Sequence, residues 1–458
     1  MKKTFSLAVL IISLSINIVQ AQKTYNPMGQ AKHVIWGHGY NLNSFSRFPA
    51  DAQQTIPSDV WNQTLRSSGL HVRFVTNATS ITVNYSLSSQ YSSNNWFSTV
   101  GANGLDLYAR KPDGKWYWCY PNSRTIGSVF TYGSINPDDA IYNNDGYEYS
   151  LYFPTFAITS SISVTVNSEA KFEFIPVNKE LKPIIVYGTS VVHGAVSSRP
   201  GNTWTNIVGR NFPDRPVVNL GFSGVGRVEP EVVEVINRID AEIYVIDCLP
   251  NFSNTTMPPL IDARYKSAID TLTKYHPNAA VLLTEHFGYS DMDMWKARKD
   301  LVLADNTELR KVYDYFIGKG YKNLYYLSRE ELGIDLSSDI GDYVHPNDKG
   351  MYRFAEVYTA KIAEILNRNT SKVSQPDDDA FQIYPNPNNG TFGFTIPQEF
   401  QQNSMLEIID MGGKTVYKEN IRSQSNRHLI QHLNLSAGNY ILSIRKDKNK
   451  LTKNFIIQ

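Results

Sequence analysis

Hydrophobic and polar positions along the chain change their period near residue 180. From about Lys23 to Pro176 they alternate every second residue over short segments, as in Leu70-His71-Val72-Arg73-Phe74-Val75 and Ile81-Thr82-Val83-Asn84-Tyr85, with Gly, Asn, Asp and Ser turns between. Period two puts one face of each segment on a core and the other in water, so residues 23–180 are predicted to be an antiparallel β-sandwich. Leu105–Ala109 and Trp116–Cys119 flank Lys111-Pro112-Asp113-Gly114, whose Pro and Gly supply the angles of a tight reversal, and this pair is predicted to be a hairpin. From about Pro183 largely apolar runs appear instead: Pro183–Gly188, Pro216–Gly221, Ile243–Asp247, Ala279–Glu285 and Asn323–Leu327. Between them Ile261, Tyr265, Ala268 and Leu272 recur at helical spacing, and Asn347 to Leu366 behaves likewise. Strands buried on both faces and alternating with helices predict an α/β fold, a three-layer α/β/α domain with a parallel sheet over residues 181–368. The polar segment from Asn369 to Asp379 reads as a linker, and residues 380–458 as a small C-terminal β domain.

The first 21 residues stand apart. Lys2 and Lys3 precede a largely apolar run from Phe5 to Val19 and the small-residue site Val19-Gln20-Ala21, the pattern of a signal peptide. The run is shorter than the roughly 20 apolar residues a membrane span needs, so no transmembrane segment is expected once it is removed. No Cys follows the cut, which argues against a lipoprotein. The two cysteines present, Cys119 and Cys248, leave one disulfide or two buried thiols open. Lys plus Arg number 44 against 43 Asp plus Glu, so bulk attraction to nucleic acid is not expected. The many aromatics suit sheet cores and sugar-stacking platforms alike.

In an open parallel sheet, ligands sit beyond the carboxyl ends of the strands, which directs attention to the loops there. After the first run comes Gly188-Thr189-Ser190, a hydroxyl at a turn opening a helix, where free NH groups favour developing negative charge. Ser190 is the natural nucleophile, although a serine in that place more often only caps a helix. After the second and third runs come Gly224 and Asn251, an NH and an amide of the kind that hold an oxyanion. The last loop reads Asp342-Tyr343-Val344-His345-Pro346: an Asp three residues before a His fixes the tautomer of a base. His193 is a rival base by proximity, without a carboxylate in its own loop. Trp204 and Arg227 are weaker candidates for lining a substrate site. No metal or other cofactor is expected: there is no Cys-x-x-Cys, and His428 with His432, the one His-x-x-x-His spacing, reads as a surface pair away from the sheet edge.

Ser190, Gly224, Asn251 and His345, in that order, resemble the blocks of the SGNH hydrolase superfamily, with Asp342 as third member of the triad. The likeness extends to a bacterial branch with Gly104-Leu105-Asp106-Leu107-Tyr108 in an N-terminal β domain and His193-Gly194 after the serine block. The Gly-Asp-Ser-Leu signature itself is not matched, since Thr189 and Val191 replace its Asp and Leu. The resemblance implies a serine esterase with Ser190, Asp342 and His345 catalytic and Gly224 and Asn251 in the oxyanion hole. Tyr384-Pro385-Asn386-Pro387 with Gly390, Asp410–Lys414 and Leu435–Tyr440 is similar to the C-terminal sorting domain of type IX secretion, with that machinery as the implied partner and an extracellular or outer-membrane-surface location. An exported esterase with an aromatic-rich sandwich points to acetylated carbohydrate as substrate. A lipase or lysophospholipase, and an inert glycan-binding protein, are the alternatives.

Overall fold

A computed structural model describes residues 21–92, 96–111, 114–133, 135, 146–252 and 257–370, together with 381, 383–384, 386–396, 400–401, 403–410, 414–421, 427–446 and 449–457. The expected signal sequence and most of the expected linker lie outside the described residues. The chain divides into two compact units, one ending at Ala363 and the other running Glu364–Gln458.

The first unit begins with two antiparallel sheets. One orders Gln22–Tyr25, Ile158–Asn167, Ile81–Ser89, Val129–Tyr132 and Ser123–Thr125; the other orders Phe172–Phe174, His71–Thr76, Tyr147–Tyr152, Asp106–Arg110 and Trp116–Cys119, with Ile35–Trp36 beside His71–Thr76. The period-two residues Val72, Phe74, Val83, Tyr85, Leu107, Leu151, Ile162 and Val164 meet between the sheets as one core. The predicted hairpin is present, Leu107 pairing with Cys119 and Arg110 with Trp116. Its Pro112 and Asp113 lie outside the described residues. Two stretches depart from the β reading. Thr99–Asn103 is one short helix. Ala50–Gln54 and Ser58–Thr64 are helical, and Phe48, Ala52, Ile56 and Val60 pack in the same cluster as Val218, Leu220 and Val232 of the following domain.

All five apolar runs form strands of one parallel sheet: Ile184–Gly188, Val217–Gly221, Ile243–Asp247, Ala280–Thr284 and Leu324–Leu327. Taken in chain order their spatial order is 2-1-3-4-5. The order reverses beside the first strand, so a crevice opens at its carboxyl end. Every residue of these strands is buried, which is why they read as continuous apolar runs. Val232, Ile236, Ile261, Tyr265, Leu309 and Phe316 cover one face from the helices Pro230–Ile236, Pro258–Tyr275 and Lys296–Gly318. Trp204–Asn211 and Asp348–Thr370 supply the other layer, where the Tyr358 hydroxyl meets Asp247 and Thr284 at the sheet's end (2.9 Å each). Among the described residues no helix is long and apolar enough to cross a membrane.

The second unit holds two small antiparallel sheets, with Phe392, Phe394, Leu406, Ile408, Leu442 and Phe455 in its core. His428 is half-buried against Glu419 (2.5 Å) while His432 is exposed, so the two do not share a ligand-like arrangement.

Candidate active site

The first strand ends at Gly188, and Thr189, in extended conformation, caps the short helix Ser190–His193 by accepting from the Val191 NH (3.3 Å). Thr189, which stands where the signature has Asp, therefore takes the capping role. Ser190 is left at the helix start, in the crevice beyond the sheet.

The loop before the last helix brings the base to it. His345 Nε2 lies 2.8 Å from Ser190 Oγ, and His345 Nδ1 lies 2.7 Å from Asp342 Oδ2. Asp342 Oδ1 accepts from the NH groups of Val344 and His345, at 2.8 Å each, so the carboxylate folds its own loop around itself. Burial pushes the Asp342 carboxyl up, but the bonds from His345 and Val344 outweigh it and leave it below the ordinary carboxylate range. The loop is closed below by Gly341 NH donating to His345 O (2.8 Å) and Asn347 NH donating to Asp339 O (2.9 Å). With Nδ1–H held by Asp342, Nε2 is free of its proton and faces the serine hydroxyl, the arrangement a general base requires.

Gly224 sits at φ +77°, a left-handed conformation that favours glycine, at the exposed tip of the loop after the second strand. Asn251 closes a 3-10 turn after the third strand, and its Nδ2 donates to Gly226 O (3.1 Å). Arg227 ties these two loops together: Nε donates to Asn251 O (2.8 Å) and Nη2 to Gly224 O (2.9 Å). Arg227, a weaker candidate for lining a substrate site, is thus held by the loops carrying Gly224 and Asn251.

Two candidates do not reach the crevice. Trp204 is 0% exposed and stacks on Tyr358 (4.1 Å, 13°), so its place in the substrate site is corrected to the core. One turn along its helix Ile207 and Val208 are buried as well, and its indole packs inward on the same side of the sheet. His193 is also fully buried, stacked on Phe156 (4.0 Å) with Nε2 against Thr155 O (2.8 Å), and burial holds its pKa well below the usual value. It serves the packing beneath the serine helix. Both cysteines are free thiols.

Two exposed aromatic residues missed by the sequence reading are Tyr343, beside His345, and Trp295, joined to Tyr343 through Arg298. Tyr343, inside the Asp-Tyr-Val-His run itself, is 54% exposed and lies parallel to Tyr289 (5.9 Å, 2°). Arg298 packs over Tyr343, Tyr289 and Trp295, and Asp291 holds its guanidinium through both carboxylate oxygens (2.7 and 2.8 Å). From the sandwich side, Phe97 meets the His345 ring edge-on at 6.2 Å. The spacing of Trp295 and Tyr343 carries no periodic signal that would have marked them.

The fold brings Ser190, His345 and Asp342 together in a crevice at the carboxyl edge of a parallel sheet. Residues 181–363 match the GDSL-like Lipase/Acylhydrolase family, and residues 23–172 match the family described as the N-terminus of Esterase_SGNH_hydro-type. Residues 382–458 match the Secretion system C-terminal sorting domain. The domain over residues 181–363 thus matches the GDSL-like hydrolases, with a GxDLY domain before it and a sorting domain after it. Among solved structures it is similar to a candidate GDSL-like lipase from Bacteroides ovatus ATCC 8483, at 27% identity and TM-score 0.65 over 76% of this chain and 98% of that one. It also shares its fold with a salicylyl-acyltransferase from a tetracycline biosynthetic pathway, at 17% identity and TM-score 0.59 over 75% of this chain and 97% of that one. No curated protein matches the sequence.

Proposed function

We propose that the protein is a secreted serine esterase that removes acetyl groups from carbohydrate. The observation that carries the reading is the continuous chain Ser190 Oγ, His345 Nε2, His345 Nδ1, Asp342 Oδ2, with links of 2.8 and 2.7 Å. In this reading His345 takes the Ser190 proton as Oγ attacks the ester carbonyl. The Ser190 and Gly224 NH groups and the Asn251 amide hold the oxyanion. The tetrahedral intermediate collapses to an acyl-serine as His345 returns the proton to the leaving alcohol. His345 then deprotonates water, which attacks the acyl carbon and releases the acid and the free serine. Asp342 holds the imidazole and stabilises its cation throughout.

The sugar side of the reading rests on the rim. Tyr343, 54% exposed, lies beside the His345 ring (6.2 Å), and Arg298, held by Asp291, joins it to Trp295, 51% exposed. Such a rim suits the C–H face of a pyranose ring with hydroxyls turned to charged groups, and offers no closed apolar channel for an acyl tail. The sorting domain supports export, which we assign to the type IX route, to the medium or the outer-membrane surface where polysaccharide is met.

The test is hydrolysis of acetylated xylan, short aryl esters and long-chain esters by wild type and Ser190→Ala. Wild type is expected to favour acetylated xylan and short esters, and Ser190→Ala to lose a factor on the order of 10⁴ or more in kcat. Equal rates from the two proteins would sink the serine mechanism, and preference for long-chain esters would turn the assignment to a lipase.

A further inference from the structure

The Gly104-Leu105-Asp106-Leu107-Tyr108 run of the sandwich faces the hydrolase domain. Asp106 is buried, and its carboxylate is fully engaged: Oδ1 accepts from the Trp118 indole (2.7 Å), Oδ2 accepts from the Gly201 NH (2.9 Å), and Arg199 Nε pairs with Oδ2 at 3.3 Å. Gly201 is gripped from its other side as well, its carbonyl accepting from Arg210 Nη1 (2.8 Å). A Cβ at Gly201 would overlap the Tyr108 ring and Asp106 Oδ2, so the hydrolase backbone meets the sandwich with no room between.

The turn held in this way, 198–202, is what grips the far side of the base loop. Asp348, three residues after His345, accepts from Ser198 NH (2.9 Å), Ser198 Oγ (2.5 Å) and Asn202 Nδ2 (2.8 Å). Asn202 has to present its amide nitrogen to do this, and Tyr108 sets that orientation by donating its hydroxyl to Asn202 Oδ1 (2.9 Å). Arg199 Nη2 donates to the same Tyr108 oxygen (3.1 Å), which turns the phenol proton toward Asn202. The bonds run in one direction, from Arg199 through Tyr108 and Asn202 to Asp348. Partly buried, charge-assisted bonds of this kind resist rearrangement more than loop contacts in water do.

Resting on the serine-esterase reading, we propose that Asp106 and Tyr108 are positioning residues for the reaction. They act through the 198–202 turn and Asp348 to hold His345 at hydrogen-bonding distance from Ser190, so the sandwich domain forms a necessary part of the active site. A misplacement of about 1 Å in a reacting group costs on the order of 100-fold in rate, while substrate contacts made elsewhere are untouched.

The test compares wild type, Asp106→Asn, Asp348→Asn and the double variant on a short aryl acetate, with fluorophosphonate labelling of Ser190 as a second readout. Each single variant is expected to lose about 10- to 100-fold in kcat with KM within about twofold, and labelling to slow in parallel. Because the two carboxylates act in series, the double variant is expected to lose no more than the worse single one. Tyr108→Phe removes only the orienting hydroxyl and serves if Asp106→Asn does not fold; its expected loss is about threefold to tenfold in kcat. Folded variants with wild-type kcat, losses that multiply in the double variant, or losses confined to KM would each overturn the proposal while wild-type activity left the esterase reading standing. A wild type that is neither active nor labelled would remove both.

Discussion

At the scale of single residues, the site depends on which hydrogen bonds a side chain has already spent. Asp342 uses one oxygen on its own loop and the other on His345, so it both builds the loop and sets the tautomer. Asp342→Asn would present a donor or a single acceptor where His345 needs a fixed acceptor, and kcat is expected to fall by about 10⁴ with little change in KM, measured by steady-state kinetics on an aryl acetate. The same substitution has a stability signature. Since the folded-state pKa of Asp342 is lowered, its contribution is fully present above the ordinary aspartate value and is lost as pH falls through the folded value. The gap in Tm between wild type and Asp342→Asn is therefore expected to be widest near neutrality and to narrow below about pH 4, checked by thermal melts across that range. That Ser190, His345 and Asp342 would meet was legible in the sequence, because the proposed chemistry demands fixed residue types in chain order. Trp204 was misjudged because exposure is not written in residue type: an indole suits a sugar and a core equally, and here Tyr358 stacks on it. Tyr343 and Trp295 went unseen for the converse reason.

At the scale of elements, the parallel strands were plain because burial on both faces leaves few polar positions to confuse the period. The joints between elements were not. Gly201 looks like an ordinary loop glycine beside Pro200, yet it is where the turn after the serine helix touches Asp106 and Tyr108. Gly201→Ala is expected to destabilise the first unit by about 1–3 kcal/mol, since a buried overlap must be relieved by moving backbone or an aromatic ring, and urea denaturation followed by tryptophan emission would measure it. An unchanged midpoint would mean that the turn can withdraw from the sandwich at no cost. The helical pieces Ala50–Gln54 and Ser58–Thr64 were hidden for a related reason. They are short and polar on one side, and their apolar residues answer a core formed by sequence more than a hundred residues later.

At the scale of the whole molecule, the first unit consists of two sheet systems that share side chains. Arg47, in the N-terminal stretch, is buried and donates to Gly221 O (2.8 Å) and Asn219 O (3.2 Å) at the end of the second parallel strand, and to Gln63 O (2.6 Å), with its guanidinium over the Phe222 ring. Burial lowers its pKa to about 9, which still leaves the side chain a cation at neutral pH. Removing it takes this donor from the Gly221 and Asn219 carbonyls, while Gln63 O keeps the Arg66 NH (3.2 Å), at a cost of about 1–3 kcal/mol for a buried unsatisfied group. The sandwich and the hydrolase are thus expected to unfold together and not in turn. All 7 tryptophans lie before residue 363, with Trp36, Trp116 and Trp118 among the sandwich strands and Trp204 in the hydrolase, so their emission follows this unit alone. On heating, emission and the fluorophosphonate reactivity of Ser190 are expected to be lost in one coincident transition. Arg47→Met is expected to lower that transition by roughly 5 °C without splitting it. Two separated transitions in the wild type, with reactivity surviving the first, would show that the sandwich can melt away from a working site, and the positioning role assigned to Asp106 and Tyr108 would fall with it.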